Sequence, residues 1–165
     1  MHTNLKNESG MTMVEAMIAI LVLLVGLLGL AQVLAFSVIT SKTYGRDAGK
    51  ATAAAQEKME ELITLQFNDT TSNVTVSPAT ATGGTGLTAG GSIYPSAPTA
   101  GYADYLNVAG SRTTSGNSAY TRQWQVTNTS ANLKTITVSV TSTRSLGTGA
   151  APSTVLITQK APERP

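Results

Sequence analysis

At 165 residues, with 12% charged side chains against about 25% in an ordinary globular domain, the chain has the length of one small domain and little charge to spread over it. Its net charge of +2 includes no basic patch of the kind that nucleic-acid binding needs, and the absence of cysteine excludes disulfides and thiolate metal sites. The one histidine is His2, and between Thr70 and Pro165 the only acids are Asp104 and Glu163. Neither a paired-carboxylate site nor a metal cluster can be assembled from that region, so the composition argues against an enzyme and predicts no cofactor and no nucleic-acid partner.

The first ten residues, MHTNLKNESG, are a polar leader. From Gly10 to Ile39 the sequence is apolar with one charge, Glu15, and from Ala16 to Ser41 it has none. About 20 apolar residues cross a hydrocarbon core of about 30 Å, so residues 11–40 are predicted to form a membrane-spanning helix. A secretory signal would carry its cleavage site after the apolar stretch; here the small residue stands before it, at Gly10. A cut there creates an amine with a reference pKa of about 7.7–8.0, five residues from a carboxylate that costs a few kcal/mol in hydrocarbon unless paired or near the interface. Each group then needs a partner.

A polar leader ending in Gly10, an apolar start at Met11, and Thr12, Met13, Val14 and Glu15 in succession resemble the N-terminus of a type IV prepilin. The resemblance implies cleavage after Gly10 by a prepilin peptidase and methylation of the new N-terminus at Met11. It further implies assembly with other major and minor pilins, Glu15 pairing with the N-terminal amine of a neighbour. Met11 replaces the phenylalanine usual in that family. The segment ILVLLVGLLGLAQ (20–32) resembles minor pilins of the PilV type; Gln32 stands where many major pilins have a helix-bending proline, and the lack of cysteine departs from pilins with a disulfide loop. Within the run, Gly26 and Gly29 would let helices approach closely in lipid. The basic residues flanking the run are weighted toward its far side (Lys42, Arg46, Lys50), which would not by itself place the N-terminus in the cytoplasm; the leader and Glu15 pattern does. The implied location is the bacterial inner membrane before assembly and a surface pilus after it.

In residues 41–67, Tyr44, Ala48, Ala51, Ala55, Met59 and Leu62 recur at steps of three and four, with Ile63 and Phe67 widening the stripe. The opposite face carries Lys42, Arg46, Lys50, Glu57, Lys58, Glu60 and Glu61 and is expected to be solvated. No proline interrupts Met11 to Phe67, so one continuous helix is predicted over that span.

Residues 68–118 are dense in Gly, Ser, Thr and Ala, a composition that favours turns and loops, with Tyr94, Tyr102, Tyr105 and Leu106 as candidate anchors. Their GGTG and AGG segments lack the strand and helix that would make a phosphate loop. In residues 119–165, Tyr120–Val126, Lys134–Ser142 and Ser153–Gln159 alternate as strands. Tyr120, Arg122, Trp124 and Val126 share one face, and Trp124 is the expected core anchor. The fold class predicted is α+β of the pilin type, with a long N-terminal helix against an antiparallel sheet of about three to four strands. The function expected is that of a minor pilin in pilus initiation or at the tip. The alternatives are a type II secretion pseudopilin, which shares the N-terminal chemistry, and a signal-anchored surface binding protein.

Overall fold

The computed structural model describes residues 12–68, 86–94, 98–144 and 150–163. They form two compact units, Met1–Lys42 and Thr43–Pro165, and helix α1 (Met13–Ile63) contributes to both.

Helix α1 begins where its sequence offers a cap. The Thr12 Oγ1 accepts a hydrogen bond from the Glu15 amide at 3.3 Å, and the Thr12 carbonyl accepts from the Ala16 amide at 3.1 Å. This satisfies one of the four orphan amides of a helix start, and Thr-x-x-Glu is the capping-box pattern. In the first unit the large apolar side chains from Met13 to Ile39 are all exposed.

In the second unit α1 packs its last turns on a sheet and ends at Ile63, short of the Phe67 expected from the absence of proline. The chain tightens there, with the Leu65 amide donating to the Leu62 carbonyl three residues back, and Leu65 and Phe67 turn into the protein. Gln66 then pairs in parallel with Gly86. Burial on α1 starts at Asp47 and continues through Ala51, Ala54, Ala55, Lys58, Met59 and Leu62. This stripe corrects the expected one at its edges: Tyr44 and Ile63 are exposed. It also corrects the expectation of a wholly solvated charged face, since Lys58 is fully buried.

The sheet has six antiparallel strands among the described residues: β1 (Gly90–Gly91), β2 (Ala103–Leu106), β3 (Arg112–Thr113), β4 (Tyr120–Ser130), β5 (Leu133–Ser142) and β6 (Ser153–Lys160). Their order is β3-β2-β4-β5-β6, with β1 pairing β4. The three segments with period-two alternation are β4, β5 and β6. The other three are short and come from the Gly/Ser/Thr-rich stretch, which therefore contributes ladder as well as loop. The β4–β5 hairpin keeps register from Tyr120 opposite Ser142 to Asn128 opposite Lys134, then shifts before Ser130. One face of β4 and β5 meets α1 and buries Tyr120, Trp124, Val126, Ile136, Val138 and Val140 against Ala51, Ala54, Ala55, Met59 and Leu62. Each large side chain so buried is worth about 1.5–3 kcal/mol, and three alanines on the helix leave room for Tyr120 and Trp124.

Two glycines in the low-complexity stretch hold a specific position. Gly91 has φ +84°, and a Cβ there would fall within 2.6 Å of the Tyr102 ring and overlap the Trp124 carbonyl oxygen. Only glycine admits that conformation and approach together.

Candidate functional site

The N-terminal site expected from the sequence falls into two parts. Gly10 and Met11 lie outside the described residues. Thr12 and Glu15 form the first turn of α1, and the Glu15 side chain is exposed there. In that position a carboxylate is favoured by the helix dipole and remains accessible to a second group. At Gly26 and Gly29 no atom outside the local helix backbone lies within 4 Å of where a Cβ would stand, so they are open notches on the helix surface. Met17, Ile20, Leu21 and Leu24, at spacings of three and four, line a shallow apolar groove on the same segment. An apolar surface of this length, uncharged from Ala16 to Ser41, is stable only in lipid or against other apolar helices.

The second unit gathers charges that the sequence distributed widely. Arg122 sits on the helix-facing side of β4, opposite Asp104 of β2 in the strand register. Its Nε donates to Asp104 Oδ1 at 2.8 Å and its Nη2 to Oδ2 at 2.7 Å, while Nη1 donates to the Ala54 carbonyl at 3.0 Å. Burial works against the Arg122 charge, but the hydrogen bonds and field of Asp104 outweigh it and hold its pKa above the ordinary value. Glu57 lies 3.6 Å from the same guanidinium. Arg112 of β3 extends the group to Asp104 at 3.5 Å and to Glu61 at 3.4 Å.

Lys58 completes this neutral cluster of three acids and three bases. Its stem is fully buried, its ammonium lies 4.0 Å from the centroid of the Trp124 ring, and it donates to Glu61 Oε2 at 3.0 Å. Burial pushes its pKa down despite Glu61. Nearby the Tyr120 hydroxyl donates to Asp47 Oδ1 at 3.1 Å, and burial together with that bond raises the Tyr120 pKa. A cleft of about 200 Å³, lined by Lys50, Ala54, Glu57, Leu106, Gly110 and Tyr120 among others, opens beside this cluster.

Beyond the other end of the packed helix, whose last turn has no basic residue, two lysines bind backbone carbonyls. Lys134 of β5 and Lys160 of β6 are register partners. Lys134 donates to the Phe67 and Leu87 carbonyls at 2.6 and 2.8 Å. Lys160 donates to the Ile63 carbonyl at 2.7 Å and also to that of Leu65. Lys160 thus satisfies the last carbonyl of α1, where the helix dipole is negative, while Lys134 ties together the Phe67 and Leu87 backbones beyond the helix.

Sequence reasoning placed Arg122 on the core face of its strand but supplied neither Asp104 as its partner nor the burial of Lys58. The capping box Thr12-x-x-Glu15 was missed at the sequence level, although its spacing carries that signal. Lys134 and Lys160 left no local signal, because their carbonyl partners lie 47 to 97 residues away in the chain. Among the described residues no group of three or more His, Cys, Asp or Glu could hold a metal ion.

Compared with known proteins, residues 5–31 match the prokaryotic N-terminal methylation motif, a signature of type IV prepilin-like chains. No curated protein and no solved structure matches the chain. The match covers residues 5–10, the Gly10–Met11 junction, the capped start of α1 and most of the uncharged apolar run: the chain carries a prokaryotic N-terminal methylation motif on the part of the helix whose apolar side chains are exposed.

Proposed function

We propose that this chain is a minor subunit of a type IV pilus, a structural protein rather than an enzyme. It enters the inner membrane through residues 11–40, is cut after Gly10 by a prepilin peptidase, is methylated at Met11, and joins other pilins through its apolar helix. Glu15 pairs with the N-terminal amine of a neighbouring subunit, and Gly26 and Gly29 allow close helix packing. The observation that carries this reading is the methylation motif at residues 5–31, on a helix whose large apolar side chains from Met13 to Ile39 are all exposed. The Glu15 position supports it as well: a carboxylate held at a helix start, exposed and next to an apolar surface, is suited to receive an amine. The PilV-like assignment rests on the apolar segment 20–32 and on the tryptophan-bearing strand β4 followed by β5.

Intact mass and N-terminal peptide analysis of the protein purified from its native membrane tests the proposal. The expected chain begins at Met11 with one added methyl group. A chain that still begins at Met1 overturns it in favour of a signal-anchored protein.

A further inference from the structure

The outer edge of β6 is built like a strand that expects a partner. Edge strands are ordinarily protected by charge, proline, a bulge or shortness. The opposite edge of the sheet, β3, is two residues long and carries Arg112. By contrast, β6 spans eight residues, keeps unbroken register with β5 from Ser153 to Lys160, and contains no proline and no charge before Lys160. Lys160 does not guard the edge, because its ammonium is drawn inward onto the end of α1 and is closed off by Glu163 at 2.8 Å. Among the described residues no strand pairs with that edge. On the face turned away from α1, Val155 and Ile157 are 51% and 68% exposed.

The strand is also close to symmetric about its centre. Reading outward from Leu156, Val155 mirrors Ile157, Thr154 mirrors Thr158 and Ser153 mirrors Gln159. We propose that β6 is a self-pairing edge: two copies of this chain join their β6 strands antiparallel, with Leu156 opposite Leu156 of the second copy. In that register each exposed apolar residue meets the other, Val155 against Ile157, and threonine meets threonine. Cross-strand pairs of this kind stabilise a sheet. A shift by two residues in either direction sets Val155 or Ile157 against serine or glutamine. Pro152, which has no amide proton, falls opposite Lys160 and ends the ladder on both sides.

The symmetry has a directional consequence. The two-fold axis relating antiparallel neighbours in one sheet stands normal to that sheet, so it reverses directions lying in the sheet plane. Residues 43–63 of α1, packed along the sheet, therefore run in opposite directions in the two copies. This interaction is separate from the proposed assembly role and does not require cleavage or methylation.

The chain has no native cysteine, which makes the register directly testable. Full-length V155C and full-length I157C, one bearing an affinity tag, are mixed in detergent and oxidised mildly. Directly opposed positions lie within disulfide reach and diagonal ones do not, so the mixed heterodimer is expected to form about tenfold faster than either homodimer. V155C paired with N117C, an exposed position away from β6, serves as the control. The proposal is overturned if no heterodimer forms or if the control pair cross-links as fast. A Thr158→Lys change added to both chains is expected to abolish the heterodimer while leaving the far-ultraviolet circular dichroism unchanged; persistence of the heterodimer would count against edge pairing.

Discussion

Arg122 and Asp104 stand opposite each other on β4 and β2 and share two charge-assisted hydrogen bonds, with Arg122 fully buried against the backbone of α1. The pair joins a strand from the Gly/Ser/Thr-rich stretch to the central hairpin and, through the Ala54 carbonyl, to the helix. Removing one member leaves a buried charge without its partner, so Asp104→Ala is expected to lower stability by about 3–5 kcal/mol. The double change Arg122→Met with Asp104→Leu is expected to recover most of that loss. Urea unfolding of the full chain in detergent, followed by Trp124 fluorescence, measures both; a small effect of Asp104→Ala would mean that Glu57 and water suffice for Arg122.

Lys58 behaves differently because burial dominates its energetics. With its pKa lowered, its charged form is disfavoured in the native state. Lys58→Met keeps the stem over Trp124 and leaves Glu61 to Arg112, so stability at pH 7 is expected to stay within about 1 kcal/mol of the parent or to rise. A loss comparable to that of Asp104→Ala would show that the ammonium–tryptophan contact outweighs desolvation.

The same shifts set the alkaline stability profile. Lys58 and Lys134 have native pKa values below 10.5, so from those values up to 10.5 the unfolded chain binds more protons and stability rises with pH. Tyr102 and Tyr120 have native values raised above 10.0 by burial. Above pH 10 the native state therefore holds more protons, and stability falls as pH rises further. Thermal melts across pH 7 to 11 are expected to pass through a maximum, and Lys58→Met should flatten its rising side. A monotonic fall from neutral pH would contradict the lysine assignment.

Two glycine substitutions separate backbone conformation from crowding. Gly91→Ala meets both the positive φ and the Tyr102 ring, whereas Gly110→Ala meets a positive φ of +87° and open space. The second is expected to cost about 1–2 kcal/mol and the first clearly more. Equal melting temperatures for the two variants would mean that Tyr102 moves aside freely.

At the N-terminus the proposed assembly role gives its own outcomes. Glu15→Ala is expected to leave membrane insertion and cleavage largely intact and to block entry into filaments, read by immunoblotting of sheared surface fractions. Gly10→Leu should leave the precursor uncut. Normal incorporation of the Glu15 variant would remove its pairing role, and normal processing of the Gly10 variant would move the cleavage site.

Features carried by short-range pattern were legible in the residues alone. The uncharged run after Glu15 is long and apolar enough to cross a membrane as a helix, the form that satisfies its own backbone there, and it is helical. Alternation over Tyr120–Val126, Lys134–Ser142 and Ser153–Gln159 specified three strands and put Trp124 inward, because each pattern repeats within a few residues. What pattern could not reach was pairing between distant segments. Asp104 found Arg122 only through the β2–β4 register, and Lys160 met the end of α1, and Lys134 the Phe67 carbonyl past it, only once β5 and β6 were in place. Gly91 looked like one more glycine in a low-complexity stretch until Tyr102 and the Trp124 carbonyl closed around it. A charge or a glycine carries no sign of its partner in its own neighbourhood; whether Lys58 is solvated or buried depends on what the sheet places over it, and that is settled by packing.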